Sequence, residues 1–162
     1  AQQYGADARV IGDVTLILGG AMIAGSLFYG PLDRILGTRK WLNFSGVTVS
    51  AILVAMLAFG VPGSMWTAAI LFAGVGIALG NYPMIMAHGR AFVPPHLAGL
   101  GVTLLNFFGI GGVGIMQFAT GRIHSGMAGP DPFLPYTGIF SFFLVCLAAG
   151  CAIYLLSRDS MD

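Results

Sequence analysis

Four residues suited to electrostatic chemistry lie within one short segment, residues 30–40, together with a glycine. The segment contains Asp33, Arg34, Gly37, Arg39 and Lys40 and separates two long apolar runs. A carboxylate at a helix end pairs with arginine or faces the positive end of a neighbouring helix, so Asp33 is a candidate ion-pair partner. Gly37 lets the chain reverse. We predict a tight, charged turn whose cations either hold ion pairs or only fix the orientation of the chain.

Polar side chains inside the apolar runs are candidate site residues, because an uncompensated polar group is costly there. Asn106 and Gln117 are eleven positions apart, about three helical turns, and so share one stripe. Asn81 and Tyr82 directly precede Pro83, which favours a kink. We interpret these four residues as candidates for lining a binding cavity. The alternative is that they make hydrogen bonds between helices and have no further role.

No group of residues predicts catalysis or a metal site. Within any one run there are no paired carboxylates, no Ser or Cys with a positioned base and no metal-ligand spacing. The chain has no Glu, and its six Asp residues fall at the ends of the apolar runs or between them. We therefore expect no enzyme activity and no bound cofactor or metal.

The elements that carry these residues are long and apolar. Of 162 residues, 57% are hydrophobic and 8% are charged, whereas a soluble domain carries about 25% charged residues. Five runs are long enough to cross about 30 Å of hydrocarbon: residues 14–32, 41–61, 65–87, 97–121 and 136–157. The predicted fold is an all-α, polytopic membrane protein with five transmembrane helices in a lipid bilayer. The net charge of +1 argues against a nucleic-acid partner.

The positions of Lys and Arg predict how the helices are oriented. One side of the predicted membrane carries Arg34, Arg39, Lys40, Arg90 and Arg158, whereas the other carries Arg9 and Arg122. Short cytoplasmic loops retain basic residues, so the first side is expected to be cytoplasmic. The C-terminus would then be cytoplasmic and, with an odd number of spans, the N-terminus would lie outside.

Residues 30–40 resemble the charged loop of the major facilitator superfamily, G-x-L-x-D-R-x-G-R-R/K, which joins the second and third helices and recurs between the eighth and ninth. The matching residues are Asp33, Arg34, Gly37, Arg39 and Lys40. Two residues separate Arg34 from Gly37 here instead of one, a departure more expected in the second copy. Residues 81–96 and 104–114 are similar to the tenth and eleventh helices of bacterial members.

The resemblance covers essentially residues 1–162 and aligns the five spans with helices eight to twelve. It implies most of the C-terminal six-helix half of a secondary transporter of small solutes in a bacterial inner membrane. The N-terminal half would be missing from this sequence. Any proton-coupling group is expected in that missing part, because no carboxylate or histidine lies at mid-depth.

The resemblance also implies roles for the candidate residues. Asp33, Arg34 and the basic pair would form a cytoplasmic latch that holds the outward-facing state and breaks during transport. A small-molecule substrate would bind near the middle of the bilayer between the two halves, where Asn81, Tyr82, Asn106 and Gln117 are the cavity candidates. The alternative function is a small structural or assembly protein of the membrane with no transport activity of its own.

Overall fold

The computed structural model of the protein describes residues 7–60 and 63–159, which form helices and turns without a strand. The α-helices are α1 (Ala8–Leu36), α2 (Lys40–Phe59), α3 (Met65–Ala78), α4 (Tyr82–Arg90), α5 (Ala98–Gly126) and α6 (Leu134–Leu155). A 3₁₀ turn at Leu79–Asn81 joins α3 to α4. With Met65–Arg90 counted as one rod, the described residues contain five helices long and apolar enough to cross a membrane. The predicted all-α class is confirmed, and so is the presence of five helices long and apolar enough to cross a membrane.

The first helix is longer than predicted, and the charged turn is correspondingly shorter. α1 has 29 residues and continues through Pro31 and Asp33 to Leu36. It ends at Gly37, whose φ of 63° is left-handed and whose amide donates to the carbonyl of Asp33 at 2.9 Å. Glycine adopts this conformation without the steric cost of a Cβ. The prediction of a turn over residues 30–40 is therefore wrong, because the chain reverses over residues 37–39.

The other helices differ from the predicted spans mainly at their ends. α2 ends at Phe59, and the predicted end at Val61 lies outside the described residues. The third and fourth predicted spans continue as helix beyond residues 87 and 121, to Arg90 and Gly126. The last helix begins and ends two residues earlier than predicted. A hydropathy pattern stops at the first charge or proline, whereas helical hydrogen bonds continue through the headgroup region.

The break between α3 and α4 falls where the sequence favours a kink. Leu79–Asn81 adopts a 3₁₀ conformation, and Pro83 lies in the first turn of α4. A proline in that position needs no hydrogen-bond acceptor, but it prevents the α-helix from continuing unchanged from the preceding turn. The adjacent residues Asn81 and Tyr82 lie in different environments, one fully buried and the other 46% exposed.

Glycines let three helices approach closely at the centre of the bundle. A Cβ added to Gly80 would lie 2.5 Å from the carbonyl carbon of Gly25, and one added to Gly25 would lie 2.5 Å from the carbonyl oxygen of Ile77. α2 joins the same region at Gly46, where an added Cβ would lie 2.7 Å from the carbonyl oxygen of Ala78. Because these neighbours are backbone atoms, larger residues do not fit where α1, α2 and α3 meet.

The glycine run of α5 is not packed in this way. An added Cβ at Gly111, Gly112 or Gly114 would meet no atom within 4 Å. Within the described part of the chain, Gly101 is the one buried residue of α5. Over residues 7–60 and 63–159, these three glycines therefore have no neighbouring helix packed against them. α5 rests on α6 and α4 along one side and leaves much of its surface uncovered.

Candidate functional site

The charged turn contains a partly buried ion pair. Nε of Arg39 lies 3.2 Å from Oδ2 of Asp33, and the two side chains are 18% and 13% exposed, respectively. The other carboxylate oxygen, Oδ1 of Asp33, is buried and has no hydrogen-bond partner among the described residues. Limited exposure strengthens the attraction and also makes an unpaired carboxylate costly. The partner of Asp33 in this conformation is thus Arg39.

The other two cations of the turn differ in their contacts. Arg34 is exposed in the last turn of α1 and makes no ion pair with the part of the chain that the structure describes. Nζ of Lys40 donates to the carbonyl oxygens of Leu155 at 2.8 Å and Ser157 at 2.6 Å. The last carbonyls of a helix lack partners within that helix and carry a partial negative charge. Lys40 therefore caps the C-terminal end of α6.

Asp159 makes the reciprocal contact from the segment that follows α6. Its carboxylate accepts hydrogen bonds from the backbone amides of Arg39 at 3.2 Å and Lys40 at 3.0 Å, and from the hydroxyl of Thr38. It thus caps the N-terminal end of α2. Desolvation alone would raise the pKa of Asp159, but these hydrogen bonds outweigh it and hold the pKa below its ordinary value. We call the contacts of Lys40 and Asp159 the α2–α6 clamp.

A partly buried chain of hydrogen bonds lies beside the clamp. Nδ1 of His88 is 2.6 Å from the hydroxyl of Tyr154, and its Nε2 is 3.0 Å from the carbonyl oxygen of Arg158. Because a carbonyl only accepts, Nε2 carries the proton and Nδ1 accepts from Tyr154 when the ring is neutral. Nδ2 of Asn43 donates to the same hydroxyl at 3.0 Å. His88 is 2% exposed and thus lies inside the bundle.

Two of the four cavity candidates are in direct contact. The hydroxyl of Tyr82 donates to Oδ1 of Asn106 at 3.0 Å, which joins the first turn of α4 to α5. The small residue Gly109 lies beside them, since a Cβ there would be 3.3 Å from the Tyr82 hydroxyl. The bond is exposed on the surface of the described chain. This pair can bind polar groups through the free lone pairs of the hydroxyl and the amide donors of Asn106.

Gln117 lies further along the same side of α5. It borders an open groove of about 440 Å³ that is lined by Gly109, Gly112, Val113, Met116, Gln117, Thr120 and Phe143. Gly109 therefore connects the pair of Tyr82 and Asn106 to the groove. On this side of α5, Ile110 and Val113 are 72% and 55% exposed. We call Asn106, Ile110, Val113 and Gln117 the α5 stripe.

The fourth candidate, Asn81, belongs to a different part of the bundle. Its Nδ2 donates to the carbonyl oxygen of Asn43 at 3.3 Å, and its Oδ1 has no partner among the described residues. Both asparagines are almost completely buried between α2 and the break after α3. The structure therefore brings Tyr82 and Asn106 together and places Asn81 on the other side of the α3–α4 rod.

Three residues that take part in these contacts are not identified from the sequence: Asn43, Tyr154 and Asp159. The signal for Asn43 is visible in the sequence, because it is a polar amide three residues inside an apolar run. The role of Asp159 is not visible, since the helix that it caps begins more than a hundred residues earlier. Over residues 7–60 and 63–159, no three His, Cys or Asp side chains lie close enough to hold a metal ion.

Comparisons with known proteins give no relative from which a role could be transferred. The chain matches no protein family, no curated protein and no solved structure.

Proposed function

We propose that this chain is the C-terminal part of a major facilitator superfamily transporter that moves a small solute by alternating access. The observation that carries the proposal is the exposed hydrogen bond between Tyr82 and Asn106, which lie in two candidate transmembrane helices. Hydrocarbon offers such groups no hydrogen bonds, so this position favours contact with water, a solute or another protein segment. A solute path between two transporter halves provides that contact.

The surroundings of the pair support the same proposal. Gln117 adds a second amide along the α5 stripe, next to an open groove. Tyr82 follows directly on a helix break, and interrupted helices commonly contribute to the substrate sites of secondary transporters. Amide and hydroxyl groups without a neighbouring charge fit a small, polar, uncharged part of a solute.

A latch role for the charged turn is part of the proposal. Asp33 and Arg39 form one ion pair, Lys40 joins the turn to α6, and Gly37 sets the reversal. Arg34 is exposed and available to a segment beyond the described residues. The buried, unpaired Oδ1 of Asp33 is a second acceptor within the same turn. Contacts of this kind can form in one orientation of the transporter and break in the other.

The proposal includes an orientation in the bacterial inner membrane. The helix ends that carry Arg34, Arg39, Lys40 and Arg90 are placed on the cytoplasmic side, together with Arg158. The N-terminus of this chain is placed outside, and the C-terminus is placed in the cytoplasm, following the preference of basic residues for the cytoplasmic side.

A structural or assembly role is the second candidate. It is favoured by one observation, the open space around Gly111, Gly112 and Gly114. Small residues let a partner helix approach closely, so this surface of α5 is suited to a membrane partner as well as to the other half of a transporter.

The reading frame upstream of Ala1 separates the two candidates. The transporter proposal expects an open frame that encodes about seven further hydrophobic spans and another charged loop, which would complete two six-helix halves. Translation that starts within a few residues of Ala1 would contradict the transporter proposal and favour the assembly role.

A further inference from the structure

A polar pocket lies between the end of α5 and the start of α6, on the predicted outer side of the bundle. Its volume is about 360 Å³. The lining comes from the last turn of α5, the loop over residues 127–133 and the first turn of α6: His124, Ala128, Asp131, Pro132, Pro135 and Tyr136. The side chains of His124 and Asp131 are exposed and Tyr136 is 39% exposed, so a ligand can reach all three.

The pocket continues the groove beside the α5 stripe. His124 lies seven positions after Gln117 on α5, which is about two helical turns, and so falls on the same side of the helix. On the facing helix, Tyr136 lies seven positions before Phe143, which lines the groove. Both walls of the groove therefore extend into the pocket.

Two aromatic rings in the lining are perpendicular to each other. The ring centroids of His124 and Tyr136 are 5.7 Å apart, and the ring planes meet at 86°. The face of an aromatic ring is electron-rich and attracts a cation. Because both rings border the same pocket, a cation in it is attracted by two ring systems.

Asp131 adds a formal negative charge to the pocket. One of its carboxylate oxygens accepts from the amide of Phe133 at 2.9 Å, which orients the group. Asp131 makes no ion pair within residues 7–60 and 63–159. Of the residues that the structure describes, no Lys or Arg lines the pocket, and Arg122 lies about 200° around α5 from His124. The electrostatics of the pocket therefore favour a cation.

The lining favours an organic cation over a metal ion. His124 and Asp131 are two candidate metal ligands, and nowhere in the described ranges do three such side chains lie close enough to hold a metal. A primary ammonium group has three donors that need acceptors, whereas a quaternary ammonium group has none and is bound by ring faces. Ala128, Pro132 and Pro135 provide apolar contacts for its methyl groups.

We propose that this pocket binds the quaternary ammonium group of a small organic cation. The methyl groups contact the rings of His124 and Tyr136, and the carboxylate of Asp131 balances the charge. Binding does not require transport, so the site is independent of the proposed function. Its place at the outer end of a solute path, in contrast, rests on that proposed function.

Choline binding tests the proposal, measured by saturation-transfer difference NMR on the protein expressed from its native reading frame, in a non-ionic detergent. We expect saturable binding with a dissociation constant of about 1 mM, because the pocket is open to water and each contact is individually weak. The neutral analogue 3,3-dimethylbutan-1-ol has the shape of choline without its charge. It should displace choline at least about tenfold less effectively than tetramethylammonium does. Equal displacement by the two compounds would contradict a cation site.

Two pairs of substitutions separate charge and ring from fold. Asp131→Asn keeps an oxygen for the amide of Phe133 but removes the charge, and should weaken choline binding at least about fivefold. Asp13→Asn removes the same charge from α1, outside the pocket, and should change binding by less than about twofold. Tyr136→Phe keeps the ring and should bind as the wild type does, whereas Tyr136→Leu should bind at least about threefold more weakly.

Two results would overturn the proposal. One is the absence of saturable choline binding up to about 20 mM. The other is choline binding that Asp131→Asn weakens no more than Asp13→Asn does. Neither result would alter the reactivity of a cysteine at Val113, which tests the solute path separately.

Discussion

Two tyrosine hydroxyls make hydrogen bonds of the same length in opposite surroundings. The Tyr82 hydroxyl lies 3.0 Å from Asn106 on an exposed surface, whereas the Tyr154 hydroxyl lies 3.0 Å from Asn43 beside the buried His88. A bond that is open to solvent or solute contributes little to stability, because its groups find other partners when it breaks. At the residue scale, the proposed solute path therefore depends on Tyr82, and the integrity of the fold depends on Tyr154.

Removing these hydroxyls one at a time separates function from stability. We expect Tyr154→Phe to lower the free energy of unfolding by about 1–3 kcal/mol, because Asn43 and His88 each lose a buried partner. Tyr82→Phe should lower it by less than about 0.5 kcal/mol, as for an exposed site. Unfolding in detergent micelles, followed by circular dichroism, measures both values. A larger loss for Tyr82→Phe than for Tyr154→Phe would mean that the exposed bond is structural.

The two arginines of the charged turn provide a second comparison. Arg39→Gln removes the partner of Asp33, whose other oxygen already lacks one, and should cost about 1–3 kcal/mol of stability. Arg34→Gln is the matched control and should cost less than about 0.5 kcal/mol, because Arg34 makes no ion pair with the described residues. Equal effects in a denaturant titration would show that the ion pair does not stabilise this conformation.

Residue types alone predict some of these roles. The charged turn and the polar residues of the spans are visible because charge and amide groups are rare in an apolar sequence. The exposed position of Tyr82 and the burial of Asn81 could not be predicted, since they depend on the exact phase of the helix after the break. The burial of His88 against Tyr154 could not be predicted either, since the two residues are far apart in the sequence.

At the scale of the elements, close contacts between helices occur at certain glycines, and a hydropathy pattern does not show which glycines these are. Gly25 lies within van der Waals distance of the backbone of α3, whereas Gly111 has open space around it. Both positions lie in long apolar helices, so the sequence does not distinguish them. Which glycines pack could not be predicted, because it depends on which helix faces which.

Alanine substitutions distinguish the two kinds of glycine. Gly25→Ala places a Cβ 2.5 Å from the carbonyl oxygen of Ile77 and should destabilise the protein by about 1–3 kcal/mol. Gly111→Ala should be neutral or stabilise it by up to about 1 kcal/mol, because alanine favours a helix and meets no neighbour. Melting temperatures of the two variants in the same detergent compare them directly. A loss at Gly111 as large as at Gly25 would indicate a partner helix on α5.

The α2–α6 clamp should depend on pH through Asp159. The pKa of this carboxyl group is lower in the folded protein, so the charged form stabilises the clamp above the unfolded pKa, near pH 4. The contribution is lost as the pH falls through the lower, folded pKa. Asparagine keeps the capping function without the charge, so Asp159→Asn is the appropriate control.

We therefore expect the stability difference between the wild type and Asp159→Asn to be constant from neutral pH down to about pH 5 and to shrink below about pH 4. Chemical unfolding of both proteins at a series of pH values measures this difference. A difference that grows as the pH falls would have the opposite sign and would contradict the capping role of Asp159.

At the scale of the whole molecule, the number of spans was predictable and their arrangement was not. Five apolar runs follow from length and composition alone, because the bilayer fixes the length of a span. The extensive contact of α2 with α6, and the little-covered surface of α5, depend on tertiary packing. The little-covered surface of α5 leaves the α5 stripe exposed.

We propose that the α5 stripe faces a water-filled solute path. The reactivity of cysteines introduced at two matched positions tests this most directly. Val113 on the stripe and Val145 on α6 lie near the middle of their helices and are 55% and 67% exposed. Each is replaced by cysteine in the protein expressed from its native reading frame, with all other cysteines changed to serine. A charged, membrane-impermeant methanethiosulfonate reacts in water but not in hydrocarbon. We expect Val113→Cys to react at least about tenfold faster than Val145→Cys, because a charged reagent is strongly excluded from lipid. Equally slow modification of both cysteines would place the stripe in lipid or under a partner helix and would contradict the transport path.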